Sequence, residues 1–191
     1  GATVTVGVTA EAFMPGEFSE LPQAGETYRY LTMNYSEYEG FPPPLTNGGL
    51  NEHNVAARDV WSPSRGELVA MTPNPQTGPQ YSDLSRIAME RARTAREAVE
   101  IIGALIDTYG YSTYGGNSHM FADEQEGWVL LNFAGGKGLW IAERLGPDDI
   151  RMSYPGYIGN IPLDLKNSDN FMASANFIDL AIEQGWYHPD S

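Results

Sequence analysis

The sequence predicts an α+β fold. Three features carry that expectation: short alternating runs rich in β-branched and aromatic residues, one long stretch with apolar residues at helical spacing, and the order in which they occur. Strands come first, a long helix follows, more strands succeed it, and a second helix closes the chain, which is the order of a sheet with helices packed on its faces.

Thr3 to Thr9 alternates β-branched residues and reads as a strand, and Pro15 to Gly25 is turn-rich. Thr27 to Met33 alternates again, while Gly40 to Gly49, with Pro42-Pro43-Pro44 and Asn47-Gly48-Gly49, is expected to be loop. Leu50 to Trp61 and a companion at Leu68 to Met71 read as a further β pair, and Thr72 to Gln80 as loop. The spacing of Leu84, Ile87, Ala88, Ala92, Ala95, Val99, Ile102 and Ile106 predicts one helix from Asp83 to Tyr109, with Ser82 as N-cap and Gly110 after its end. On its other face the four-residue spacings Arg93–Glu97 and Arg96–Glu100 suit a solvated, ion-paired surface.

Beyond Gly110, the runs Ser118 to Ala122, Trp128 to Ala134 and Leu139 to Arg144 are separated by short polar or glycine-rich turns, as in an antiparallel meander. A fourth strand is expected at Ile150 to Tyr154 and a final helix from Asn170 to Gln184.

Composition bounds the function. A chain of 191 residues can build a conventional core, since a compact fold of this size buries about 70% of the surface its unfolded chain exposes. The formal charge of −14 repels phosphate backbones and anionic lipid head groups, so neither nucleic acid nor a membrane surface is an expected partner. Only Lys137 and Lys166 are lysines, and an acidic, lysine-poor chain suits salty or extracellular water. With no cysteine, the chain offers no disulfide, thiolate metal site or cysteine nucleophile. No apolar run approaches the roughly 20 residues of a membrane span, and Gly1 to Ala10 lacks the pattern of a signal peptide.

The usual catalytic constellations are weak. His53, His119 and His188 sit in different elements without the spacing of a zinc site, which favours packing or surface roles. Asp164, Asn167, Asp169 and Asn170 lack the glycine and terminal glutamate of a calcium loop and read as turn and capping residues. Gly135-Gly136-Lys137-Gly138 joins two strands instead of opening a helix, so it reads as a hairpin turn and not a phosphate cradle. No serine lies in a Gly-x-Ser-x-Gly elbow. The aromatic cluster Tyr109, Tyr111, Tyr114 suits either a core or the lining of a pocket.

Several ordered motifs are more specific. Gly48-Gly49-Leu50-Asn51-Glu52-His53-Asn54-Val55, the run from Glu90 to Val99, Ala122-Asp123 with Glu126-Gly127-Trp128, Trp140-Ile141-Ala142-Glu143-Arg144, Asp169-Asn170-Phe171 and Ala181 to Pro189 occur in that order. Together they resemble the dipeptidase family of N-terminal-nucleophile hydrolases, the group that includes dipeptidase A and is similar to the secernins. The resemblance runs from about Thr27 to Pro189. It implies a four-layer αββα sandwich, two antiparallel sheets between helical layers, and hydrolysis of a dipeptide or small amide without any cofactor or metal.

The family's nucleophile is a cysteine at the mature N-terminus whose own α-amine takes the thiol proton. This sequence has none. Residues 1–191 are therefore expected to be the central part of one domain, completed by companion segments of the same enzyme that carry the nucleophile, within an oligomer. Asn51 and Glu52 are candidates for shaping the substrate pocket or supporting its walls; a β-turn or cross-strand role is the competing reading. The family has Pro-Asn where this sequence has Pro155-Gly156, and an asparagine there would be suited to donate to an oxyanion, so Gly156 is the third pocket candidate. Two functions follow: a cysteine-type peptide hydrolase active with its companion segment, or an inactive relative kept as a structural or binding subunit.

Overall fold

The computed structural model describes residues 1–35, 45–152 and 157–189. A two-stranded antiparallel ribbon, β1 (Thr3–Val6) with β2 (Ser19–Pro22), opens the chain. The main sheet has seven antiparallel strands in sequence order: β3 (Tyr30–Tyr35), β4 (Leu45–Asn51), β5 (Ala56–Trp61), β6 (Gly116–Ala122), β7 (Gly127–Phe133), β8 (Trp140–Leu145) and β9 (Phe171–Ala173). Between β5 and β6 lie α1 (Gly66–Ala70), α2 (Tyr81–Arg91) and α3 (Ala95–Tyr109), and α4 (Phe177–Glu183) follows β9. The α+β class and the meander of Ser118 to Arg144 are as expected.

Strand register assigns the two faces. Ala57, Phe121 and Trp128 are cross-strand neighbours, as are Asp59, His119, Leu130 and Ala142. Because side chains alternate along a strand, these rows share one face. The apolar members of that face pack with Leu84, Ile87 and Met89 of α2 and Val99, Ile102 and Ile106 of α3 into the largest core cluster. On the reverse face Val129, Leu131 and Ile141 lie under Ile158, Ile161 and Phe177. At the β3–β4 end that face is bare: Leu31, Met33 and Leu50 are all exposed.

Several elements differ from expectation. The helix expected over 83–109 is two helices, broken at Ala92, whose backbone is extended. Thr94 caps the second one, accepting from the Glu97 N–H at 3.1 Å, while the Glu97 carboxylate accepts from the Arg93 N–H at 2.6 Å. Thr94 is thus a side-chain N-cap set inside an uninterrupted apolar periodicity, and the periodicity hides it. The start of α2 is capped by Gln80 and not by Ser82: Gln80 Oε1 accepts from the Ser82 N–H at 2.6 Å, and the Gln80 N–H donates to Asp83 at 3.0 Å.

The glycines expected to mark a loop lie within β4. A Cβ at Gly48 would stand 1.9 Å from the Ala57 carbonyl oxygen, and one at Gly49 would stand 2.1 Å from that of Leu31 and 2.9 Å from Met89 sulfur. They mark close approach of neighbouring strands and of α2, the usual reason for glycine inside a sheet. The rest of that expected loop, residues 40–44, lies outside the described residues.

Leu68 to Met71, expected to pair as a strand, falls in α1 and its cap, where Leu68 packs with Leu139 and Leu180. A four-residue apolar run cannot distinguish helix from strand by periodicity. The same ambiguity explains the final segment, in which Phe171–Ala173 pairs with β8 before α4 begins. Residues 150–152 are not strand, and Tyr154 lies outside the described residues. Arg96 does not turn to Glu100 but crosses to the sheet, 3.4 Å from Glu126 and with its guanidinium carbon 4.9 Å above the Trp128 ring.

Candidate functional site: a polar cleft between two strands

The sheet face beneath the helices is apolar at its centre and polar at one end. Asp59 on β5 pairs with His119 on β6, and Asn117, two residues before His119, pairs with Asn132 on β7; all four are buried. A buried polar side chain needs partners, and Asp59, Asn117 and His119 find them in one another and in Ser85. The Asn117 amide donates to Asp59 Oδ2 at 3.0 Å and reaches His119 Nε2 at 3.4 Å, while the other ring nitrogen, Nδ1, is 3.3 Å from the hydroxyl of Ser85 on α2. An amide nitrogen has only donors, so Nε2 accepts and Nδ1 carries the proton toward Ser85. Burial pushes the His119 imidazole down to about 3, which keeps it neutral.

Asp59 responds in the opposite direction. Burial pushes its carboxyl up to about 6, against the hydrogen bonds from Asn117 and Asn47 and the charge of Arg58. Its Oδ2 accepts from both amides, the Asn47 contact being 3.4 Å, whereas Oδ1 is buried with no hydrogen-bond partner. Both polar atoms of the Asn132 side chain are likewise unpartnered.

These groups stand beside an opening in the sheet. β4 and β5 pair only over Gly48–Leu50 and Ala56–Arg58, and then part. The cleft between them has a volume of about 380 Å³ and is lined by Asn47, Asp59, Asn117, Arg58, Trp61 and the tyrosines Tyr81 and Tyr114. The Ser62 N–H donates to Gly116 across the β5–β6 ladder. By alternation the backbone groups of Asp59 and Trp61 point the other way, into the cleft. The cleft thus combines an open strand edge, a carboxylate, amide donors and aromatic walls. It can hold a short extended polar chain by the edge-pairing that β-augmentation uses.

The candidates named from sequence lie elsewhere in the sheet. Asn51 is buried and fully occupied: its amide nitrogen donates to the carbonyls of Met89 at 3.0 Å and Ala92 at 2.8 Å, and its oxygen accepts from the N–H groups of His53 and Val55 at 3.0 Å each. It closes the β4–β5 turn and satisfies the last carbonyls of α2. Glu52 is exposed and binds Arg29 through its backbone N–H and its guanidinium, at 2.9 and 3.0 Å. Gly156 lies outside the described residues.

The other motif residues gather at the same helix junction. Asp123 accepts from the Ala95 N–H at the start of α3 at 2.7 Å and from two N–H groups of its own turn. Glu126 accepts from the Trp128 indole at 2.9 Å and pairs with Arg144 and Arg96. Asn51, Asp123 and Glu126 thus hold α2, α3 and the hairpins together. Asp59, Asn117 and Asn47 carry no motif. Their only signal was a polar side chain in a core-facing row, visible once strand register is known.

His53 packs edge-on against Tyr28 with ring centroids 4.2 Å apart, and His119 is buried. Among the described residues no three His, Cys, Asp or Glu converge as a metal site would require, and no helix is long and apolar enough to cross a membrane. A second cavity of about 240 Å³ lies between α1, α4 and the β7–β8 hairpin; Phe133, Phe177, Leu180 and Trp186 line it, and Arg65 stands 5.0 Å from the Trp186 ring centre.

Comparison with known proteins agrees with the motifs. The model of peptidase family C69 matches residues 17–191. "Probable dipeptidase A" of Streptococcus pyogenes serotype M1 is 30% identical over 132 residues, covering 69% of this chain and 27% of the relative. "Probable dipeptidase B" of Lactococcus lactis subsp. lactis is 32% identical over 143 residues, covering 74% and 29%, and "Dipeptidase" of Bifidobacterium longum is 30% identical over 160 residues, covering 71% and 29%. The chain thus spans under a third of the length of these relatives.

Proposed function

The chain belongs to peptidase family C69, and from that premise we propose that it is the central part of a hydrolase of dipeptides or similarly small amides. The observation that carries this reading is the family match over residues 17–191. The chain has no cysteine, so the proposed nucleophile is an N-terminal cysteine on a companion segment. Its α-amine takes the thiol proton, the thiolate attacks the peptide carbonyl carbon, and the amine product leaves with a proton. Water then releases the acid from the thioester.

In this reading the β4–β5 cleft is the substrate-binding wall, and Asn51 and Glu52 support it by fixing the turn that joins the two strands. Gly156 would contribute its backbone N–H near the oxyanion, where the family has an asparagine side chain. The bare face carrying Leu31, Met33 and Leu50 supports the four-layer αββα arrangement, since an exposed apolar sheet face marks a missing packing partner and a second sheet would cover it.

Turnover of Ala-Ala or Leu-Gly by the assembled protein, measured with and without iodoacetamide and with and without EDTA, tests this function. Hydrolysis lost on alkylation and kept with the chelator is the expected result. Chelator-sensitive, alkylation-resistant hydrolysis would overturn the cysteine mechanism, and no hydrolysis of any small amide would leave the chain as an inactive structural relative.

A further inference from the structure

Asp59 has an unusual combination of properties for a strand residue. Its side chain is 3% exposed, it lines the cleft, one carboxylate oxygen is shared by two amide donors, and the other has no donor at all. The side chains of Asn47, Asn117, His119 and Arg58 do not supply the missing partner. Asn47 of β4 and Asn117 of β6 are both directed at Oδ2. His119, directly across the ladder, is neutral and committed to Asn117 and Ser85. Arg58, the next residue on β5, is exposed and forms no ion pair with Asp59 among the described residues. A buried carboxylate oxygen left without a donor is costly.

We infer that Asp59 Oδ1 is the anchor for the free α-ammonium group of a short peptide lying along the open edge of β5. This rests on the reading of the protein as a small-peptide hydrolase and adds to it the end of the substrate that is recognised and the residue that recognises it. The geometry is consistent within one strand. The backbone groups of Asp59 and Trp61 face the cleft, so a peptide paired to that edge would run beside the Asp59 side chain. A dipeptide is about 7 Å long when extended, short enough for a cleft of about 380 Å³. Burial raises the Asp59 carboxyl to about 6. An ammonium bound beside it would oppose that rise.

One other ammonium could reach this place, the α-amine of the nucleophilic cysteine, and the test separates the two. The probes are an alkene isostere of Ala-Ala, which cannot be hydrolysed, and its N-acetyl derivative, with affinities for the assembled protein measured by calorimetry. The free-amine probe should bind roughly 10- to 100-fold more tightly than the acetylated one, the range of a charge-assisted hydrogen bond. Asp59→Asn should bring the two affinities together and, in turnover, raise KM for Ala-Ala. Equal affinities of the two probes in the unmodified protein would overturn the inference without touching the peptidase reading. So would an Asp59→Asn variant that keeps the preference but loses kcat on free and acetylated substrates alike, since that would assign Asp59 to the nucleophile's amine. Amine-selective binding without any hydrolysis would uphold the inference and fail the peptidase reading. The wild-type comparison of probes needs no variant, so a folding defect in Asp59→Asn cannot decide the outcome.

Discussion

The side-chain amide of Asn51 donates to the carbonyl oxygen of Ala92 at 2.8 Å, tying the β4–β5 turn to the point where α2 ends. The same nitrogen serves Met89, and the oxygen serves two turn N–H groups. Asn51→Ala should therefore cost about 3 kcal/mol or more, because it strands several buried backbone groups at once. A fall in the urea midpoint with unchanged m-value would show it; a midpoint within error of the parent would mean the clamp is dispensable. Asn51→Asp should be at least as damaging, since it places a carboxylate against two carbonyl oxygens.

Gly103 is the contact between α3 and the sheet. A Cβ there would stand 2.5 Å from the Trp140 ring, whose indole N–H is fixed on Asp107 at 2.8 Å. Alanine favours a helix over glycine by up to about 1 kcal/mol, but overpacking costs typically 1–3. Gly103→Ala should accordingly lower the thermal midpoint. A rise would show that Trp140 moves aside freely.

How much of this was legible in the sequence depends on what each residue had to satisfy. The meander and the apolar face of the long helix follow from periodicity, which one sheet and one helix layer impose on every residue. The break at Ala92 is held by Asn51, some forty positions earlier in the chain, and its one local sign, the Thr94 cap, is masked by the apolar periodicity. Asn51, named from sequence as a pocket candidate, ties a turn to α2, and Asp123 and Glu126, named only as parts of motifs, make contacts of the same kind. Asp59 could not be singled out from sequence because its surroundings come from β4 and β6, and only their register brings Asn47 and Asn117 to the same carboxylate.

The buried acid and the buried imidazole give opposite pH dependences. The Asp59 carboxyl, raised to about 6 from its ordinary 3.8, contributes stability that is full below about pH 4 and lost as pH rises through 6. His119, lowered to about 3, contributes stability that is full above about pH 6.5 and lost as pH falls through 3. Asp59→Asn removes only the first. Relative to the parent, the variant should gain about 2–3 kcal/mol between pH 4 and pH 7, read from urea unfolding at both values. A constant difference across that window would show that Asp59 keeps an ordinary acidity in the fold.

Leu31 and Met33 are 77% and 82% exposed on the bare end of the sheet. Residues 1–191 expressed alone should aggregate, and Leu31→Lys with Met33→Lys should make them more soluble while blocking assembly with the companion segments. Light scattering and co-purification read the two effects. A soluble unmodified chain with one cooperative unfolding transition would show that this face needs no cover.

The proposed function puts a short peptide in the cleft between β4 and β5. Photolysis of a dipeptide carrying a diazirine side chain, bound to the assembled protein and followed by mass mapping of the adduct, tests it most directly. Labelling within Asp59–Ser62 or Tyr114–Asn117, competed away by Ala-Ala, is the expected result. Labelling confined to Leu68, Phe177 or Trp186, in the apolar cavity beside α4, would contradict it.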